Sequence, residues 1–365
     1  DNFTGNNDAD LTRRTVSYYS SPTAQPETVF QTSAYRFMWR LRTVAAGESG
    51  SDYGPFYALL NAANLPSPAS NYVIPEVLGT VADWNQWMRV FACQHAIGNW
   101  DSYGYDRGKN AYTYIGGNTD ARFHQWTWDI DFTMGIGGHG ATMDVFGSTD
   151  PRVVAMWMTP AINRAYWRAY LDIINGPMNN AFIDPILDAK AAALRDNNVN
   201  VDPGQVTVIK NFVRDRRAYL AGRLTALTNR AFSATNSVPS ANVNTVTLSG
   251  QAAIQVEEIR VNGVAYPVTW SGPGTTATQL SPTNWTMTVT LNPGANVLNI
   301  VGYDNKGQAV PGTSRTLNVQ YNGVAVSPVG SVVMNEIMYN SSVPGGDFIE
   351  VLNTSTNTAF DLSRW

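Results

Sequence analysis

At 365 residues the chain exceeds the size at which a single hydrophobic core stops growing, so two or three domains are expected. Apolar residues make up 44% and aromatics 11%, ample for buried cores, while charged residues reach only 14% against roughly 25% in an average soluble protein. Twenty arginines, four lysines and a net charge of −4 without a basic run argue against a nucleic-acid or anionic-membrane surface, and no apolar run approaches the roughly 18 residues of a membrane span.

The chain opens in a polar segment, DNFTGNNDAD, without Met, so the lack of a signal peptide is uninformative and an excised piece is expected. Residues 1–80 read as irregular apart from one dense patch, residues 35–42. Its alternation sets Arg36, Met38, Arg40 and Arg42 on one face and Phe37, Trp39 and Leu41 on the other, the pattern of a half-buried strand. Asp83 then caps a helix to about Ile97, with Trp84, Trp87, Met88 and Phe91 on one stripe. The lone Cys93 lies in this helix. No intrachain disulfide is possible, and with no basic partner evident the thiol is expected to be buried and structural.

A β-hairpin follows. Ala111, Thr113 and Ile115 alternate with Tyr112 and Tyr114, a Gly-Gly-Asn turn reverses the chain, and His124, Trp126 and Trp128 form one face of the return strand. From Asp150 to about Arg230 the period is helical: Asp150-Pro151 and Asp202-Pro203 are helix starts, and Pro160 and Gly176-Pro177 punctuate the run. Near Phe232 the composition changes to short alternating strands with turn residues between them, at the spacing of an all-β sandwich. A linker after Tyr321 leads to a last segment, too short to bury a core alone.

Chemistry gathers around the hairpin. Asp101 and Asn110 lie before it and Asp129 and Asp131 just after it. A loop bearing Asp and Asn, a hairpin and a further Asp is how protein kinases build a catalytic base and metal ligands. Asp101 is the candidate base, with Asp106 its rival because the step from Asp106 to Asn110 is closer to the kinase spacing. Asn110 and Asp129 would hold Mg²⁺. Asp131, two residues on along an extended strand, would point the same way as a second ligand or support. Arg107 and Lys109 could contact phosphate. The bland readings are an Asx-turn at Asp101 and an exposed strand end at residues 128–131. His95, His124 and His139 are scattered without metal-ligand spacing, and His139, in the glycine-rich GIGGHG, is expected to be structural or substrate-facing.

The segment NWD…RGKNAYTY…WDIDFTMG resembles the CotH kinase family, named for a spore-coat protein and found in many secreted bacterial proteins; the resemblance extends from residue 35 to about residue 227. It implies an α+β, atypical kinase-like C-lobe, mostly helical with a hairpin, over residues 1–231. It also implies ATP and a divalent metal (Mg²⁺ or Mn²⁺) as cofactors and a Ser-containing surface or extracellular protein as substrate. Asp101 falls on the catalytic Asp, Asn110 on the loop metal ligand, Asp129 on the DFG-type Asp and Asp131 on the second Asp of WDxD. The family's amino-terminal part carries a phosphate-engaging Lys, whereas the first lysine here is Lys109. The nucleotide-clamping lobe is therefore expected upstream of Asp1, and residues 1–365 alone are expected to transfer phosphate weakly or not at all.

Residues 232–322 resemble an Ig-like module of extracellular bacterial enzymes, residues 323–332 form a linker, and residues 333–365 resemble the start of a lamin-tail domain. The leading expectation is the C-terminal part of a secreted kinase acting outside the cell or at its surface. A non-catalytic surface or adhesion protein with a degenerate kinase scaffold, and a metal-dependent hydrolase using the aspartates, are the competing readings. Sequence gives neither the protein substrate, the nucleotide preference nor the oligomeric state.

Overall fold

The computed structural model describes residues 2–5, 9–12, 15–18, 27–30, 32–44, 47, 49–50, 52–65, 72–116, 120–340, 347–356, 358–360 and 362. The turn residues Gly117 and Asn118 and the closing residues 363–365 lie outside them. The chain forms two units: Asp1–Thr228 with Gly272–Pro282, and Asn229–Ser271 with Thr283–Trp365. The first unit is thus discontinuous in sequence.

The first unit runs β1 (Asn2–Gly5), β2 (Thr15–Tyr18), β3 (Glu27–Phe30), α1 (Thr32–Met38), β4 (Trp39–Thr43), α2 (Gly54–Ala63), α3 (Pro75–Val81), α4 (Trp84–Ile97), β5 (Ala111–Ile115), β6 (Phe123–Thr127), α5 (Pro151–Met158), α6 (Pro160–Asn175), α7 (Asn180–Asp196) and α8 (Pro203–Thr228). Residues 1–80 are therefore far from irregular. The expected strand over residues 35–42 is also corrected: Tyr35 and Met38 are buried from one face of α1, Phe37 is 63% exposed, and the strand begins at Trp39. Buried positions three apart are the helical period, and eight residues were too few to separate it from alternation.

One antiparallel sheet organises this unit, in the order β4-β1-β5-β6. Its inner row is Leu41, Phe3, Thr113 and Gln125; its outer row is Arg40, Thr4, Tyr112 and Trp126. Phe3 is fully buried against Phe56 and Phe123, with ring centroids 5.1 and 6.0 Å away. Helix α4 lies along β6, where the Trp87 indole N–H donates to Phe123 O at 2.8 Å and Gln86 Nε2 to Gln125 O at 2.6 Å. Asp83 caps α4 as expected, accepting from Gln86 N–H. Cys93 is exposed on this helix, not buried, although nearby atoms displace enough water to push its pKa up.

The second unit contains β7 (Ser233–Asn236), β8 (Ser240–Ala241), β9 (Thr245–Gln251), β10 (Glu258–Val261), β11 (Val264–Ala265), β12 (Thr269–Ser271), β13 (Asn284–Thr290), β14 (Gly294–Tyr303), β15 (Arg315–Tyr321), β16 (Val332–Met338) and β17 (Phe348–Asn353). Sheets of order β11-β10-β14-β15-β8 and β12-β13-β9-β7 share one core, with Leu248, Ile259, Trp285 and Ile300 fully buried. Strands β16 and β17 pair only with each other among the described residues, and every residue of β17 is exposed.

Candidate active site

Gly98 ends α4 in the left-handed region (φ +72°), and a Cβ there would stand 2.8 Å from His139 O, so only glycine fits this close approach. The loop that follows is tied to itself by Ser102 Oγ donating to Asn99 O (2.8 Å), Asp106 N–H to Trp100 O (3.1 Å) and Tyr103 N–H to Lys109 O (2.6 Å). From beneath, the Tyr103 hydroxyl donates to Asp150 Oδ2 at 2.8 Å. Asp150, 1% exposed, also accepts from Leu11 N–H and, as cap of α5, from Arg152 N–H. Burial raises its pKa to about 6 despite those three donors, and burial beside Asp150 holds the Tyr103 phenol well above its ordinary value.

The bracing sets Asp101 at the mouth of the loop. Its Oδ2 meets Lys109 Nζ at 3.0 Å and receives a hydrogen bond from Asn110 Nδ2 at 3.1 Å; the same amide donates to Asp101 O at 2.8 Å. Its Oδ1 has no hydrogen-bond partner among the described residues and is not among the sealed, unpaired polar atoms, so it stays open to a proton donor. Asn110 O accepts from Trp128 N–H at 3.1 Å, which draws the chain end after β6 onto the Asp101 loop. The structure thus brings together Asp101, Lys109, Asn110 and the backbone leading into Asp129.

Asn110 and Asp129 both sit at positive φ, +57° and +55°, a conformation that Asn and Asp tolerate better than other side chains. The strand has ended at Thr127, so the expected extended run carrying Asp129 and Asp131 on one side does not form: a residue at positive φ breaks the two-residue alternation. Both carboxylates are exposed, with no hydrogen bond or ion pair among the described residues. Among those residues no three His, Cys, Asp or Glu side chains converge. Asn110, Asp129 and Asp131 each carry an oxygen donor of the hard kind that Mg²⁺ or Mn²⁺ takes.

Asp106 lies elsewhere in the same loop. Its Oδ2 is 3.3 Å from His139 Nε2, whose Nδ1 is 2.8 Å from the Tyr105 hydroxyl, and burial raises that phenol to about 12. Arg107 stacks on Trp100, with its guanidinium 5.5 Å from the ring centroid. His139 N–H donates to Gly98 O at 3.0 Å, which makes it a tether between the two loops.

The CotH kinase protein family model matches residues 41–220, a span that holds every one of these side chains. This part of the chain belongs to the CotH kinase family. No curated protein matches the sequence.

Sequence reasoning missed one group beside this site, only part of which lies in the matched CotH kinase span. A cleft of about 390 Å³ opens beside Asn110, lined by Thr4, Gly5, Arg40, Arg42, Lys109, Ala111, Tyr112 and Trp128. Arg40 and Arg42 reach it because β4 pairs with β1 and β1 with β5, pairings that span dozens of residues. The readable signal was their two-residue spacing in WRLRT.

Proposed function

We propose that this CotH kinase region transfers a phosphoryl group from ATP to a Ser or Thr hydroxyl of a surface or extracellular protein. The observation carrying this reading is the shared contact of Asp101 with Asn110 and Lys109, while Asn110 also holds the Trp128 backbone. In it Asp101 Oδ1 accepts the proton of the attacking hydroxyl, and the Lys109 ammonium faces the negative charge of the transferring group. Asn110 and Asp129 hold a divalent metal, with Asp131 beside them. A divalent metal held there would supply positive charge to offset the negative charge that develops during transfer. Asp106 serves through His139 to hold the loop. The second unit, read as an Ig-like sandwich followed by the start of a lamin-tail domain, spaces or binds, and the protein is read as secreted.

Labelled ATP with Mg²⁺ or Mn²⁺ and a Ser-rich acceptor tests this. Transfer should fall by about 10²-fold or more in Asp101→Asn and vanish in Asp129→Ala; transfer that persists in Asp129→Ala removes the metal role. A second reading, a non-catalytic surface protein on a degenerate scaffold, is favoured by the lack of any lysine before Lys109. A correctly folded chain that binds no ATP under any metal condition would select it.

A further inference from the structure

Two guanidinium groups face the cleft beside Asn110. Arg40 and Arg42 are both exposed on β4, two residues apart and hence on one side of the strand at about 7 Å spacing. Among the described residues neither makes a hydrogen bond or an ion pair. Lys109 completes the lining from the opposite wall, and among the described residues no carboxylate lines the cleft. Lys109 is paired with Asp101, but the two guanidinium groups have no acid beside them among the described residues, and in a chain of net charge −4 they form a local concentration of positive charge.

The walls are held together by one close approach. A Cβ on Gly5, at the end of β1, would fall 2.0 Å from Gly108 O. Backbone therefore touches backbone at this point, and β4, paired to β1, is carried up to the residue next to Lys109. Guanidinium forks bind phosphate oxygens bidentately and hold them in register, which a bare point charge cannot do.

We propose that Arg40 and Arg42, with Lys109, are the polyphosphate cradle of this protein. This rests on the nucleotide reading above. The chemistry recognised is a chain of linked phosphates, supplied by a nucleoside triphosphate or by inorganic triphosphate.

Calorimetric binding by the whole 365-residue chain in Mg²⁺ tests it, with ATP, AMP and inorganic triphosphate as ligands at two salt concentrations. ATP should bind at least tenfold more tightly than AMP. Arg40→Gln/Arg42→Gln should lose at least tenfold in ATP affinity and show a shallower salt dependence, without a change in thermal unfolding, and Arg40→Lys/Arg42→Lys should restore part of the loss. Triphosphate matching ATP would assign the cradle to phosphate alone; triphosphate binding no better than AMP would overturn it. ATP and AMP binding equally, or the Gln variant binding ATP as tightly as the parent, would also overturn it. Label transfer separates this from the catalytic reading. Arginine-dependent ATP binding that is unchanged in Asp129→Ala, with no transfer, removes the kinase reading and leaves the cradle; ATP binding and any residual transfer that are equal in the parent and the Gln variant remove the cradle and leave the kinase.

Discussion

Asp150 shows how much of the site depends on a residue that touches no reactant. It holds Leu11, Tyr103 and Arg152 with one carboxylate. An amide there can accept on one side only and must turn an N–H toward a donor, so Asp150→Asn should cost about 2 kcal/mol, read by denaturant unfolding. His95, fully buried with its pKa lowered to about 4 mainly by burial, adds a pH effect. Its folded pKa lies below the ordinary value of 6.5, so the unfolded chain binds the proton more readily and stability falls as pH drops from 6.5 to 4. Asp150 acts oppositely: its pKa is raised from 3.8 to about 6, so its contribution grows as pH drops through that window. The parent should therefore lose little stability between pH 6.5 and 4. In Asp150→Asn the loss should steepen toward about 1.4 kcal/mol per pH unit, the limit for one proton.

At the scale of elements, the turn from α4 into the Asp101 loop is the sensitive joint. Gly98→Ala must take an unfavourable backbone conformation and push the added methyl toward His139 O, so about 2 kcal/mol of stability should go and transfer should fall with it. An unchanged melting temperature would show that the joint can yield. The elements legible in the sequence are those that announce themselves locally. Asp83, Asp150-Pro151 and Asp202-Pro203 mark helix starts at Trp84, Pro151 and Pro203, and the paired aromatic strands mark the hairpin. Strand β1 and its pairing with β4 and β5 were not legible, because nothing near Phe3 signals that it pairs with Leu41 and Thr113. Asp101, Asn110 and Lys109 were legible as a group since one loop carries them, whereas Arg40 and Arg42 join them only through that long-range pairing.

On the scale of the molecule, the first unit is completed by a segment from far along the chain. Arg164, fully buried on α6, donates to Pro282 O at 2.7 Å, and Asn163 Nδ2 donates to Ala277 O at 3.4 Å. Replacing Gly272–Pro282 with a short glycine linker should leave that guanidinium short of an acceptor and lower the unfolding free energy of the first unit by about 3 kcal/mol. Calorimetry of the two transitions would read it, and an unshifted first-unit transition would contradict it. The composition change near Phe232 marked where the helical pattern ends, but no compositional cue distinguishes the returning segment, because its contacts to Asn163, Arg164 and Arg223 are made through backbone carbonyls.

That return sets an order of events during synthesis. A ribosome releasing about 5–20 residues per second must make most of two β-strand layers before the segment under Arg164 emerges. The nascent first unit waits a few seconds without the carbonyl acceptor that Pro282 gives Arg164, and holding factors have that interval in which to engage it.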